Sequence, residues 1–290
     1  MKYVAYRLDG RDLLGAVSAD EKMLVPLREQ AAAPGTTLLR LIEGGAHELA
    51  DSGTAVRIDD PDLKLLPPIP STGRNVFCVG KNYRAHVEEL DRTDFVPPRD
   101  EQFPDAPIYF TKLSASAVTH GGAVLAHSGV TDSVDYEAEI GVIISAGGRG
   151  IAAEDAWDHV WGFTLVNDVT ARDLQRGRGQ WFLGKSLDTF CAVGPWAVSI
   201  DEVDVPNVVL ESWVNGEPRQ KGHLSDLVFD VPTLIADLSS GITLQTGDII
   251  ATGTPSGVGL GFDPPRFLRP GDVVRVAATG LGVLENHVVA

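Results

Sequence analysis

The sequence predicts a mainly β, α+β protein built as a β-roll, and three observations carry that expectation. Its apolar stretches are short and rich in β-branched residues, as strands require. Glycine (31) and proline (18) are plentiful, which supplies tight turns between strands. Two segments, Leu244-Gln245-Thr246-Gly247-Asp248-Ile249-Ile250 and Leu268-Arg269-Pro270-Gly271-Asp272-Val273-Val274, echo each other. Each is a Gly-Asp turn launching a strand, which suits a β-roll better than a parallel α/β sheet.

Taken in order, residues 3–27 read as a hairpin or small meander around Asp9-Gly10-Arg11-Asp12. Thr36 to Leu49 carries helical spacing in Leu38, Leu39, Leu41 and Ile42, broken by Gly44-Gly45. Asp59 through Pro70 is a proline-rich connector and the expected boundary between a small N-terminal α+β domain (1–70) and a larger one (71–290). The larger part starts with strand Asn75–Val79, turns at Gly80, and continues as a short amphipathic helix from Tyr83 to Leu90. Asp91 to Pro107 is charged and holds Pro97, Pro98, Pro104 and Pro107. A stretch this long without secondary structure suggests a lid, placed at about 86–107.

The chain has 290 residues with 24 basic against 40 acidic ones, a net charge of −16. That balance argues against a nucleic-acid or anionic-membrane surface, both of which need basic patches. No apolar run approaches the roughly 18 residues of a membrane span, and the N-terminus leads into a patterned strand, not a signal peptide. Cys78 and Cys191 each have apolar neighbours and are expected to be reduced core residues, not a disulfide or metal pair. A cytoplasmic protein is expected.

The chemistry concentrates in a few places. Glu137 and Glu139, in Val134-Asp135-Tyr136-Glu137-Ala138-Glu139-Ile140-Gly141, precede the β-branched run Val142-Ile143-Ile144. In a strand, i and i+2 side chains share a face about 6.5 Å apart. Carboxylates that close repel unless a proton or cation lies between them, and a hard divalent cation is the simplest solution. The alternative is the solvated face of a half-buried sheet. Downstream, Gly162–Asp168 is another apolar strand ending on an acid. Asp168 either caps a short helix through Gln175 or adds a third oxygen ligand.

His86 and Glu89 lie at i, i+3 on one helical face, the spacing of a base with its orienting carboxylate; an ordinary surface helix is the alternative. Lys185, amid Trp181, Phe182 and Leu183, either snorkels outward or supplies a buried cation to an anionic site. Thr252-Gly253-Thr254-Pro255-Ser256-Gly257-Val258-Gly259 lacks the Gly-Lys-Ser/Thr ending of a nucleotide loop. It is either a plain turn or one whose amides and Thr254 hydroxyl hold a substrate carboxylate. Arg172, Arg176 and Arg178 read as capping or salt-bridging residues, one of which could reach a substrate acid. His120 and His127 show no metal spacing.

In order, these segments resemble the fumarylacetoacetate hydrolase family. The matching stretches are Val79–Glu89, Val134–Glu139, Gly162–Asp173, Gly184–Asp188, Gly247–Gly259 and Gly280–Asn286, so the resemblance covers roughly residues 70 to 290. It departs at Lys81 and Ala192, neither of which touches the proposed chemistry. The resemblance implies a mixed β-sandwich roll, a homodimer, and Mg²⁺ (or Mn²⁺ or Ca²⁺) held by Glu137, Glu139 and Asp168. It implies Lys185 as the active-site lysine and His86 with Glu89 as a water-activating dyad. Candidate substrate-binding residues are Tyr83, Arg84, Gln175 and Thr254.

The activity expected first is hydrolysis of the C3–C4 bond of an acylpyruvate or related 2,4-dioxo acid. In that reaction a water deprotonated by His86 attacks the 4-carbonyl. Alternatives are decarboxylation of oxaloacetate, which needs only the metal and Lys185, and isomerisation or hydration of a 2-oxo-alkenoate. A non-catalytic 2-oxo-acid or metal-binding protein is the alternative from another class.

Overall fold

The computed structural model describes residues 1–27, 34–44, 55–69, 74–93 and 103–290. The chain opens with strands β1 (Lys2–Leu8), β2 (Arg11–Val17) and β3 (Met23–Pro26), the meander its alternation predicts. The β1–β2 turn holds Asp9 and Gly10 at positive φ (49° and 71°), the backbone that a two-residue hairpin turn demands. Helix α1 spans Pro34–Ile42 and buries Leu38 and Ile42, one turn apart. The end of the expected helix, 45–49, lies outside the described residues.

Strand β4 (Val56–Arg57) closes this end of the sheet against β3. The proline-rich connector is not structureless: it contains β5 (Lys64–Leu66), which pairs antiparallel with β1. Strand β1 also pairs with a strand from the C-terminal half, with Lys2 opposite Val198 and Tyr3 opposite Ala197. One sheet therefore runs across the position expected as a boundary.

Next come β6 (Val76–Gly80), helix α2 (Arg84–Leu90), β7 (Ile108–Lys112) and β8 (Ala123–Leu125). Residues 94–102 of the expected lid lie outside the described residues. Strands β9 (Val134–Asp135), β10 (Ala138–Ile144), β11 (Val160–Asp168) and β12 (Thr170–Ala171) follow. Short helices α3 (Arg172–Gly177) and α4 (Phe182–Lys185) lead to β13 (Cys191–Ser199). The rest comprises β14 (Val209–Val214), β15 (Glu217–His223), α5 (Val231–Gly241), β16 (Ile249–Ala251), β17 (Val273–Ala278) and β18 (Gly282–Val289).

The large sheet has the order β4-β3-β2-β1-β13-β11-β10-β16-β6-β7, and β15-β14-β17-β18-β8 form a second, five-stranded sheet. It is mixed, because β16 runs antiparallel to β10 but parallel to β6. Both Gly-Asp turns are built alike. Asp248 accepts the Gln245 N–H and Asp272 the Arg269 N–H, each at 2.7 Å, before β16 and β17.

Strand β10 is buried along its whole length. Ile140, Val142 and Ile144 pack with Leu210, Val276 and Leu284 of the second sheet, while Ile143 joins Cys78, Cys191 and Leu38 on the other side. Neither face is solvated, which disposes of the half-buried alternative. Cys78 and Cys191 are buried and free.

One strand was expected through Glu137 and Glu139, but pairing stops at Tyr136 and Glu137 between β9 and β10. The Glu137 carbonyl still accepts the Asp168 N–H (2.8 Å), but side chains take over the donors there. The Glu137 N–H donates to Asn167 Oδ1 (3.1 Å) and the Ala138 N–H to Gln220 Oε1 (3.0 Å).

Candidate active site

The break before β10 turns the two glutamates toward the end of β11. Oxygens of Glu137, Glu139 and Asp168 all lie within 4.8 Å of one another, and all three residues are buried. Backbone register brings them together, since Ala138 faces Asn167 and Glu139 faces Val166. Asp168 caps no helix. Helix α3 begins after Ala171 without a side-chain cap, and the Asp168 carboxylate faces Lys112 and Lys185 instead.

Three buried cations meet these acids. Lys185, at the end of α4, donates to Glu137 Oε2 and Asp168 Oδ2, both at 2.7 Å, and lies 4.8 Å from the centre of the Phe110 ring. It does not snorkel. Arg172 contacts Glu137 Oε1 at 2.6 Å and Asp135 Oδ2 at 2.8 Å. Lys112, at the end of β7, contacts Asp168 Oδ1. Lys112 belongs to no motif, and its one local signal is an apolar strand ending on a lysine, Ile108-Tyr109-Phe110-Thr111-Lys112. Arg176 and Arg178 are exposed.

Burial alone would raise the pKa of Glu137, but Lys185, Arg172 and His86 hold it below the usual carboxylate range. Glu139 goes the other way: burial, then the charges of Asp168 and Glu137, push it well above that range. Burial disfavours the Lys185 ammonium, yet Asp168 and Glu137 more than offset this and its pKa rises. The four buried acids Asp135, Glu137, Glu139 and Asp168 outnumber the cations Lys112, Arg172 and Lys185 by one. Three clustered hard oxygen donors with surplus negative charge fit a divalent cation of the Mg²⁺ or Mn²⁺ kind.

His86 and Glu89 are both buried on α2, so the surface-helix alternative does not hold. His86 Nδ1 lies 3.1 Å from Glu89 Oε2. With the carboxylate accepting, the proton belongs on Nδ1 and the Nε2 lone pair is left free. Glu89 Oε1 accepts the Gly257 N–H (2.8 Å), which fixes the pair against the loop after β16. Gly261 makes room for it: a Cβ there would come within 2.1 Å of Glu89 Oε1.

The loop also ties to the acids, because the Gly253 N–H donates to Glu139 Oε2 at 3.0 Å. Thr254 is buried, and its hydroxyl accepts from Gln220 Nε2 at 2.6 Å. Gln175 is buried against Arg172 Nη1 (3.2 Å), while Arg172 Nη2 is buried without a partner among the described residues. The Tyr83 hydroxyl is likewise buried and unpartnered, with Glu139 close enough to raise its pKa after burial has done so. Arg84 is exposed, its guanidinium 5.0 Å from the centre of the Phe103 ring. Asp135, which carries no role in the sequence motifs, accepts the N–H groups of Gly259 (2.7 Å) and Leu260 (3.0 Å) as well as Arg172. His120 and His127 bond backbone carbonyls of Val283 and Asp188 (2.9 Å each).

Residues 75–289 match the family described as fumarylacetoacetate (FAA) hydrolase C-terminal. The chain belongs to the fumarylacetoacetate hydrolase family. It is 41% identical to an oxaloacetate tautomerase, YisK of Bacillus subtilis, over 99% of this chain and 100% of that protein. It is also similar to a solved fumarylacetoacetate hydrolase from Exiguobacterium antarcticum. That structure has 40% identity and a TM-score of 0.83, with 100% and 99% of the two chains covered. A maleylpyruvate hydrolase from Sphingobium sp., solved with manganese(II) and pyruvate, matches at 28% identity and TM-score 0.74, covering 100% and 99%. No helix among the described residues is long and apolar enough to cross a membrane.

Proposed function

We propose that this member of the family is a divalent-metal-dependent tautomerase of a 2-oxo dicarboxylic acid, with oxaloacetate as the favoured substrate. The observation that carries this choice is the near-full-length similarity to an oxaloacetate tautomerase, because the same side chains serve several reactions at C3. Glu137, Glu139 and Asp168 would hold Mg²⁺ or Mn²⁺. When bound, the cation supplies Lewis-acid charge for the carboxylate and 2-oxo oxygens of a 2-oxo acid.

The chain's own groups divide the remaining work. Glu89 fixes the His86 tautomer, and His86 Nε2 takes a proton from C3 of the keto form. The electron pair moves onto the 2-oxo oxygen, where the Lys185 ammonium stabilises the enolate. His86 then returns the proton to that oxygen, giving the enol, and the reverse order gives the keto form. Arg172 and Tyr83, with buried unpartnered donors, and Gln175 and Thr254 are the proposed substrate contacts. The protein is proposed to act as a cytoplasmic homodimer.

Hydrolysis of an acylpyruvate remains the second possibility, supported by the similarity to two hydrolases. It uses the same dyad to activate water. A substrate panel separates the two. Mg²⁺-dependent interconversion of keto and enol oxaloacetate, without release of pyruvate from acylpyruvates, is expected. Release of pyruvate from an acylpyruvate with no effect on oxaloacetate tautomers would reverse the choice.

A further inference from the structure

Lys112 ends β7, the last strand of the large sheet, and is wholly buried. An ammonium has three N–H donors and no acceptor. Each donor has one acceptor: Asp168 Oδ1, the Val169 carbonyl (2.9 Å) and the Lys185 carbonyl. Wholly buried and with no donor to spare, this ammonium cannot leave Oδ1 without stranding a buried polar group. Lys185 differs. It has two hydrogen-bond acceptors among the described residues and an aromatic ring on its remaining side. Its third donor is not committed to a backbone carbonyl, as two of those of Lys112 are.

The consequence falls on Asp168. Its Oδ1 is committed to Lys112, and only Oδ2 turns to the acid cluster. The two glutamates are divided in the same way. Arg172 Nη1 holds Glu137 Oε1 at 2.6 Å, and the Gly253 N–H holds Glu139 Oε2 at 3.0 Å. Each of the three carboxylates thus has one oxygen tied to the framework. Of the other three oxygens, Glu137 Oε2 and Asp168 Oδ2 accept from Lys185, and each keeps a lone pair that a cation could take.

Three single oxygens make half of an octahedron, with the other positions left to water and substrate. Mg²⁺ takes six ligands at about 2.0–2.1 Å and keeps several waters, whereas Ca²⁺ takes 6–8 at roughly 2.3–2.6 Å and gains from two-oxygen carboxylates. We propose that Lys112 sets the metal selectivity of this site. By restricting Asp168 to one oxygen, it favours Mg²⁺ and Mn²⁺ over Ca²⁺. Lys112 acts through Asp168 and is a positioning residue. The selectivity rests on the metal dependence proposed above, but not on which 2-oxo acid is turned over.

The test uses the full-length protein stripped with a chelator and titrated calorimetrically with MgCl₂, MnCl₂ and CaCl₂ separately. The wild type is expected to bind Mg²⁺ and Mn²⁺ more tightly than Ca²⁺. In K112M and K112Q, which release Asp168 Oδ1, the Ca²⁺-to-Mg²⁺ affinity ratio should rise about tenfold as a second oxygen becomes available. Wild-type preference for Ca²⁺, or folded variants whose ratio matches wild type, would overturn the proposal. Should neither variant fold, a crystal structure of the wild type with Mn²⁺ decides. Asp168 bound through Oδ2 alone, with Lys112 on Oδ1, supports the proposal, and a two-oxygen Asp168 overturns it. None of these readouts involves turnover, so a failed tautomerase assay leaves them interpretable.

Discussion

Glu139 and Asp168 sit on the central strands of the large sheet, with Glu137 at the break that precedes β10. His86 and Glu89 ride on α2, a helix of only 7 residues that has no side-chain N-cap. The acids are fixed by strand register, by side-chain partners and by three buried cations. The helix is held by the Glu89–Gly257 hydrogen bond and a small cluster of Leu90, Val258 and Leu260. A helix this short is not stable alone, so its place depends on docking. The acids are thus held by sheet register and buried ion pairs, whereas the proposed proton-transferring group rides on a short helix that depends on its docking.

The largest effect is expected at the acids. Glu137→Gln removes a proposed ligand and one ion-pair partner each of Lys185 and Arg172. Breaking a buried pair costs about 3–5 kcal/mol, so the melting temperature should fall sharply. Mg²⁺ binding should disappear with it. An unchanged Mg²⁺ titration would remove Glu137 from the ligand set.

His86→Ala should lower tautomerisation by about 10²–10⁴, the usual contribution of a positioned base. Any oxaloacetate decarboxylation should be largely spared, since carbon dioxide leaves without a base. Equal loss of both activities would contradict the division between the two regions.

Glu139→Gln offers a subtler contrast, read from stability without metal. Burial and two neighbouring acids hold the Glu139 pKa well above its ordinary range in the folded chain. Between the unfolded and folded values, the folded protein binds a proton that the unfolded chain has released, so stability falls as pH rises through that window. The glutamine variant should flatten this slope and melt higher than wild type at neutral pH in chelator, while metal no longer raises its melting temperature. A parent-like slope would show that Glu139 carries no such cost.

The smallest effect on chemistry is expected from Leu260→Ala, which loosens the helix dock. It should cost about 2–5 kcal/mol of local packing at most and lower turnover severalfold while leaving Mg²⁺ affinity alone. A change in metal affinity equal to the change in turnover would mean that the two regions are not separable.

Much of this was legible in the sequence because it is local. The Glu137–Glu139 spacing, the strand ending on Asp168, and the His86–Glu89 pair at i, i+3 each lie within one short segment. So do the hairpin turn at Asp9-Gly10 and the twin Gly-Asp turns. What stayed hidden is non-local. Lys112 meets Asp168 across 56 positions of chain, and Gln220 meets Ala138 across 82. No period or motif marks such a partner. The break at Tyr136 was equally invisible, because it depends on Asn167 and Gln220 replacing ladder bonds. Asp168 stood open between a helix cap and a third oxygen ligand for the same reason: its partners are lysines on two other elements.

The central claim is that His86 moves the proton while the acid cluster holds the charge. The most direct test follows the loss of enol oxaloacetate absorbance in stopped flow for wild type and His86→Ala, beside Mg²⁺ titrations of both. The account predicts that the variant binds Mg²⁺ as wild type does yet loses at least about a hundredfold in tautomerisation. A His86→Ala protein that tautomerises oxaloacetate at the wild-type rate would contradict it.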